Sequence, residues 1–139
     1  MILLDRMPRH LTVILPLAAT FALGACAEVA APRVGDIIGT YEATMMVADG
    51  QDVLAAGGSL SLEFQGAGLV FGTLFVPASA GGPLTADMTG TWGLVDRTLI
   101  IDQSEDTFVR DAIWIWDDDV IDGTCCTATP TVTVRLERN

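Results

Sequence analysis

From residue 37 onward, apolar and polar residues alternate with a period of two. Residues 59–65 show it most cleanly, with Leu60, Leu62 and Phe64 set against Ser59, Ser61, Glu63 and Gln65. Successive side chains on an extended chain point to opposite faces, so this pattern predicts half-buried strands. Eight segments carry the signal: 38–48, 59–65, 69–76, 86–95, 98–102, 107–116, 120–127 and 130–138. In the first, Tyr41, Ala43, Met45 and Val47 share a face. In the hairpin around Asp96-Arg97, Trp92 and Leu94 fall on the same side as Leu99 and Ile101. Turn formers punctuate the series at Asp49-Gly50, Gly66-Ala67-Gly68, Pro77 and Asp117-Asp118-Asp119. Residues 52–56 are expected to make one helical turn stopped by Gly57-Gly58, and 78–84 a loop.

Short connections between consecutive strands favour antiparallel neighbours. A meander of about eight strands has two edges to hide, and closing the sheet hides both. The expected architecture is therefore all-β: a small up-and-down barrel or a curled meander, with a β-sandwich as the alternative. A barrel of about eight strands is just wide enough to be filled by side chains or to hold one small ligand. The residues expected to line its interior are Tyr41, Met45, Leu60, Leu62, Phe64, Trp92 and Leu94.

The N-terminus follows a different pattern. Arg6, Arg9 and His10 precede an apolar run, Leu11–Leu23, that is shorter than the ~20 residues needed to span a bilayer. A basic start, a short apolar stretch and small residues at its end describe an export signal. Met7 is an alternative start, giving a purely basic beginning. The run ends in Leu23-Gly24-Ala25-Cys26, which resembles the lipobox of bacterial lipoproteins. The resemblance implies cleavage before Cys26 and attachment of diacylglycerol and a further acyl chain such as palmitate to that cysteine. It also implies residence at the cell envelope, and Ala27 after the cysteine points to the outer membrane. Residues 26–36 then read as a tether and 37–139 as one domain. The rhythm of Gly39-Thr40-Tyr41, Gly58–Leu62, Gly90-Thr91-Trp92 and Thr98–Ile101 is similar to small lipocalin-like lipoprotein domains.

Composition narrows the function further. The chain has 139 residues and a formal net charge of −11, and all its basic residues are arginine. A surface so acidic is unsuited to nucleic acid, which is bound through basic patches. The single histidine, His10, lies in the signal, so the remainder has no His for a triad, a metal site or a general base. No pair of carboxylates can be singled out for acid–base work, and no nucleophile has a base partner. A non-enzyme without cofactors is expected.

The residues singled out are few. Asp117, Asp118, Asp119 and Asp122 precede Gly123; a solvated turn is expected, and Asp117, Asp119 and Asp122 form a weak Ca²⁺ candidate. Cys125 and Cys126 are the only thiols besides Cys26; a vicinal disulfide, separate reduced thiols and intermolecular or metal pairing all remain open. Trp114 and Trp116 share a strand face, which is either core or an exposed ledge for a partner or lipid surface. The loop at 78–85 is a second contact candidate. Arg110, placed on the same strand face as the two tryptophans, is expected to be paired or at the surface, with stacking on an aromatic ring as the alternative. The expected function is a lipid-anchored, non-catalytic binding or structural module of the cell envelope. Its partners are a membrane through the anchor and either a small apolar ligand or another envelope protein. The alternatives are a lipocalin-like carrier and a calcium-stabilised interaction domain.

Overall fold

The computed structural model describes residues 30–128 and 130–139. The expected signal, Cys26 and residues 27–29 lie outside the described residues. A helical turn α1 (Val34–Ile37) leads into ten strands: β1 (Gly39–Ala48), β2 (Gln51–Asp52), β3 (Ser59–Gln65), β4 (Leu69–Val76), β5 (Leu84–Asp87), β6 (Gly90–Val95), β7 (Thr98–Gln103), β8 (Ile113–Asp117), β9 (Val120–Cys125) and β10 (Val132–Arg138), with a second helical turn α2 (Phe108–Asp111) before β8. Val34–Asp36, expected to be tether, thus belong to the first element.

Eight of these strands form a closed antiparallel barrel in the order β1, β3, β4, β6, β7, β8, β9 and β10, with β10 returning to β1. The seam runs from Tyr41 opposite Arg138 to Ala48 opposite Val132. β5 and β6 keep one register on β4, with Thr73 opposite Asp87 and Val70 opposite Gly90. They are one strand interrupted at Met88-Thr89, where Asp87 accepts hydrogen bonds from the Thr89 N–H and hydroxyl. The expected strand 86–95 is therefore present but kinked and begins earlier.

The inward residues of the eight barrel strands fill its centre. Tyr41, Leu60, Leu62, Phe64, Val70, Leu74, Trp92, Leu99, Ile101, Trp114, Ile121 and Leu136 are buried in one cluster. Tyr41, Phe64 and Trp92 stack edge to face, with ring centroids 5.6 and 5.4 Å apart. The Trp92 N–H donates to the Gln65 carbonyl at 3.0 Å, so the ring's polar edge is satisfied within the core. Of the two options open to a barrel of this size, a centre filled by side chains or a ligand cavity, this one has the filled centre.

Two local features break the simple alternation. β1 carries a bulge: Ala43 lies opposite Leu136 but Met45 opposite Arg135, so Thr44 is an extra residue. An extra residue exchanges the two faces beyond it. Met46 is buried in place of Met45, which is 41% exposed. The second break is at 107–112. The Thr107 hydroxyl caps a turn by accepting from the Val109 N–H, and Gln103 donates to the same hydroxyl. Val109 then plugs the barrel, and the Trp114 indole N–H donates to its carbonyl at 2.8 Å. The expected strand 107–116 is in fact this turn followed by β8.

The chain also gives the barrel two distinct ends. α1 and the turns at Gly66–Gly68, Asp96-Arg97 and Asp118-Asp119 lie at the start of β1. The far end, about 30 Å along β1 at 3.3 Å per residue, carries Asp49-Gly50, the 77–83 loop, α2 and the 126–131 connection. At the α1 end, Arg138 donates to the carbonyls of Asp36 and Ile38 and to the Asp119 carboxylate, fastening the incoming chain to the last strand.

Candidate functional site

The far end of the barrel holds a crevice of about 420 Å³. Its wall is apolar: Met46, Val53, Val76, Leu84, Phe108 and Val132, with Pro130, Ala80 and the Gly81-Gly82 backbone completing it. Asp49 and Gln51 supply side-chain polar atoms at its edge. Each wall residue arrives by a different route. The bulge in β1 brings Met46 inward. Asp52 caps the following turn by accepting from the Ala55 N–H at 3.0 Å, which turns Val53 under the mouth. The 77–83 loop is tied down by the Gln51 amide, which donates to the Ser79 carbonyl. α2 swings Phe108 over from the opposite side.

Asp49 sits at φ +47°, a left-handed conformation that Asp tolerates. One of its carboxylate oxygens accepts from the Thr131 N–H at 2.8 Å and lies 3.5 Å from the Thr131 hydroxyl. The Thr131 carbonyl in turn accepts from the Asp49 N–H at 2.9 Å, so β1 and β10 are joined across the rim.

Of the interior residues named from sequence, Tyr41, Leu60, Leu62, Phe64 and Trp92 are buried and Leu94 is packed against the core. They fill the barrel against one another, and none of them lines the crevice. Met45 points outward and lines nothing inside. The crevice is built from other residues; in the sequence it is marked by the turn signal Asp49-Gly50 and by the contact candidate at 78–85, which supplies Ala80, Gly81, Gly82 and Leu84.

The exposed tryptophan ledge is not present. Trp114 is fully buried and Trp116 nearly so, and it is Ile113 and Ile115 that face outward. The inward face wins because β8 closes the wall opposite β9, whose Gly123 makes room for the Trp114 ring. Arg110 does not share their face either. It lies on α2 and pairs with Asp106 and Asp111.

The aspartate cluster is dispersed. Asp118 and Asp119, at φ +44° and +59°, form the two-residue turn between β8 and β9. Asp117 pairs with Arg97, Asp119 with Arg138, and Asp122 accepts two bonds from Arg135 at 2.8 and 3.0 Å. Among the described residues no three acidic, His or Cys side chains converge as metal ligands. The weak Ca²⁺ candidate of Asp117, Asp119 and Asp122 is thereby corrected to three separate ion pairs. Such exposed pairs contribute about 0–1 kcal/mol each.

Cys125 and Cys126 are joined as a disulfide, with Cα atoms 3.7 Å apart. Cys125 is buried at the end of β9, opposite Val132, while Cys126 is exposed at φ +74°. The bridge starts the connection that carries Pro130 to the crevice.

Tyr41 lies toward the α1 end. Burial pushes its pKa above the ordinary value of 10.0, while the nearby Trp116 indole and the Arg138 guanidinium, 4.9 Å above its ring, pull the other way. Neither the Tyr41 hydroxyl nor the Trp116 N–H makes a hydrogen bond of ordinary geometry.

The fold and site together define a small, closed antiparallel barrel with a solid centre and an apolar crevice at one mouth. Compared with protein-family models, curated proteins and solved structures, the chain finds no match.

Proposed function

We propose that this protein is an exported, non-catalytic binding module of the bacterial cell envelope, held to a membrane through lipid on Cys26. The lipobox-like Leu23-Gly24-Ala25-Cys26 supports the anchor. The observation that carries the binding role is the placement of the crevice. The chain joins the barrel at the α1 end, and the crevice opens at the other, so an anchor at the N-terminal side leaves the mouth free. Two or more acyl chains on one cysteine hold a protein to a bilayer stably, whereas one chain holds it only marginally.

The test is metabolic labelling with a palmitate analogue in a bacterium that processes lipoproteins. The whole chain is expected to be labelled and to sediment with membranes, and the Cys26→Ala variant to lose the label. A soluble, unlabelled product from the parent sequence would refute the anchor.

A second reading, a module that contacts another envelope protein, draws on the outer wall. Ile113 is 64% exposed, Ile100 57% and Ile115 41%, all on the neighbouring strands β7 and β8. Grouped apolar exposure of this kind marks contact surfaces.

A further inference from the structure

We propose that the mouth crevice takes a small amphiphilic cation: a compact apolar body carrying an ammonium head. This deepens the reading of the barrel as a binding module and is independent of the anchor. At about 30 Å³ per small group, a volume of about 420 Å³ accommodates roughly 14 non-hydrogen atoms, within the range of small-ligand pockets. The wall gives that body only apolar contacts, from Met46, Val53, Val76, Leu84, Phe108 and Val132.

The head group is selected by what stands at the rim. Asp49 presents a carboxylate that is exposed, with one oxygen engaged by Thr131 and the other without a hydrogen bond among the described residues. The Gln51 amide spends its N–H on the Ser79 carbonyl and leaves its oxygen as an acceptor. The crevice lining includes no arginine, and the chain has no lysine. Arg110, on the neighbouring turn, is held by Asp106 and Asp111, and Arg97 and Arg138 are at the opposite end. Asp52, next to Gln51 on β2, adds a further negative charge at the same end of the barrel. A rim of acceptors and negative charge favours a donor cation and repels a carboxylate such as a fatty-acid anion. The crevice thus differs in kind from a fatty-acid site, which needs a base at its mouth.

The experiment uses the whole chain purified in lipid nanodiscs, with empty nanodiscs as reference. Three probes of one shape are compared by ligand-observed NMR titration: phenethylammonium, phenethyl alcohol and phenylpropanoate. Saturable binding is expected in the order ammonium, alcohol, carboxylate, with at least a tenfold gap between the first and the last. Asp49→Asn keeps the acceptor for Thr131 and the tolerance of positive φ, and is expected to shrink that gap severalfold. Leu84→Trp, at a half-exposed edge of the wall, is expected to abolish binding of all three. Phenylpropanoate binding as tightly as phenethylammonium, or a gap unchanged in Asp49→Asn, would overturn the cation assignment. Absence of saturable binding by every probe would overturn the crevice as a ligand site. The palmitate experiment reads the anchor separately, so either result stands without the other.

Discussion

Adding one methyl group at Gly123 tests how the barrel was packed. A Cβ built there lies 2.3, 2.5 and 2.7 Å from three carbons of the Trp114 ring. Ordinary carbon–carbon contacts are about 3.5–4.0 Å, so the ring must move by about 1 Å or the strands must separate. The ring is not free to move. It is fully buried, and its N–H donates to the Val109 carbonyl at 2.8 Å. Overpacking of a core typically destabilises by about 1–3 kcal/mol, and loss of the indole hydrogen bond adds about 1 kcal/mol. Gly123→Ala is therefore expected to destabilise by about 2–4 kcal/mol, and to lower Tm by on the order of 10–25 °C for a domain of this size. Gly93 provides the control. It is also a strand glycine, on β6, but a Cβ there meets nothing within 4 Å. Gly93→Ala removes freedom from the unfolded chain and is expected to stabilise by about 0.4–1 kcal/mol. Thermal melts followed by near-ultraviolet circular dichroism of the tryptophans measure both. A Gly123→Ala melt within about 3 °C of the parent would show that Trp114 is not seated against β9. Equal destabilisation by both changes would show that strand glycines matter here for some reason other than packing.

Tyr41, the chain's single tyrosine, gives a pH prediction with an unambiguous signal. Its folded pKa is raised, chiefly by burial, so the native state holds the phenol proton more tightly than the unfolded state does. Its contribution to stability is complete below the unfolded value of about 10 and is lost as pH rises through the folded value. Phenolate absorbance is expected to appear only above the usual range and together with unfolding; a reversible titration at the ordinary value in folded protein would refute this. Arg138→Met keeps the side-chain stem but loses the bonds to Asp36, Ile38 and Asp119. It is expected to cost about 1–2 kcal/mol and to speed amide exchange across Val34–Gly39 more than in β7, as read by mass spectrometry. Uniform acceleration over the barrel would contradict the fastening role.

The strands were legible in the sequence because period-two alternation on a half-buried wall leaves a direct record. Ser59–Gln65 and the β6–β7 hairpin show it in full, and β10 pairs as its alternation suggests. Closure was inferable from the need to hide edges. The bulge at Thr44 was not, because an inserted residue looks like any other polar position until its partner strand is known; the assignment of Met45 failed for that reason. The segment 107–116 misled in another way. Its apolar residues fit a strand, but Thr107 offered a cap whose hydroxyl is held by Gln103, and capping won over β propensity. Trp114 and Trp116 were legible as one face, but which face is core depends on Gly123 across the ladder. The crevice left least trace, since its wall comes from four separate connections that meet only when the barrel closes. Adjacent cysteines limited the pairing to a few alternatives, and the structure has the vicinal bridge.

The seam between β1 and β10 also decides how the molecule comes into being. It joins the first long strand to the last, and Arg138 grips the carbonyl of Ile38 across 100 residues. Contacts so far apart in sequence are the slowest to form, because the whole intervening loop must be closed before they return anything. Hairpins such as β3–β4 and β8–β9 can assemble as soon as their residues are free to pair. The ring itself must wait for β10. Until it arrives, β1 and β9 are open edges able to pair with other copies. β10 therefore acts as the latch of the molecule: without that strand the barrel is an open sheet, exposed to self-association, and not a smaller barrel.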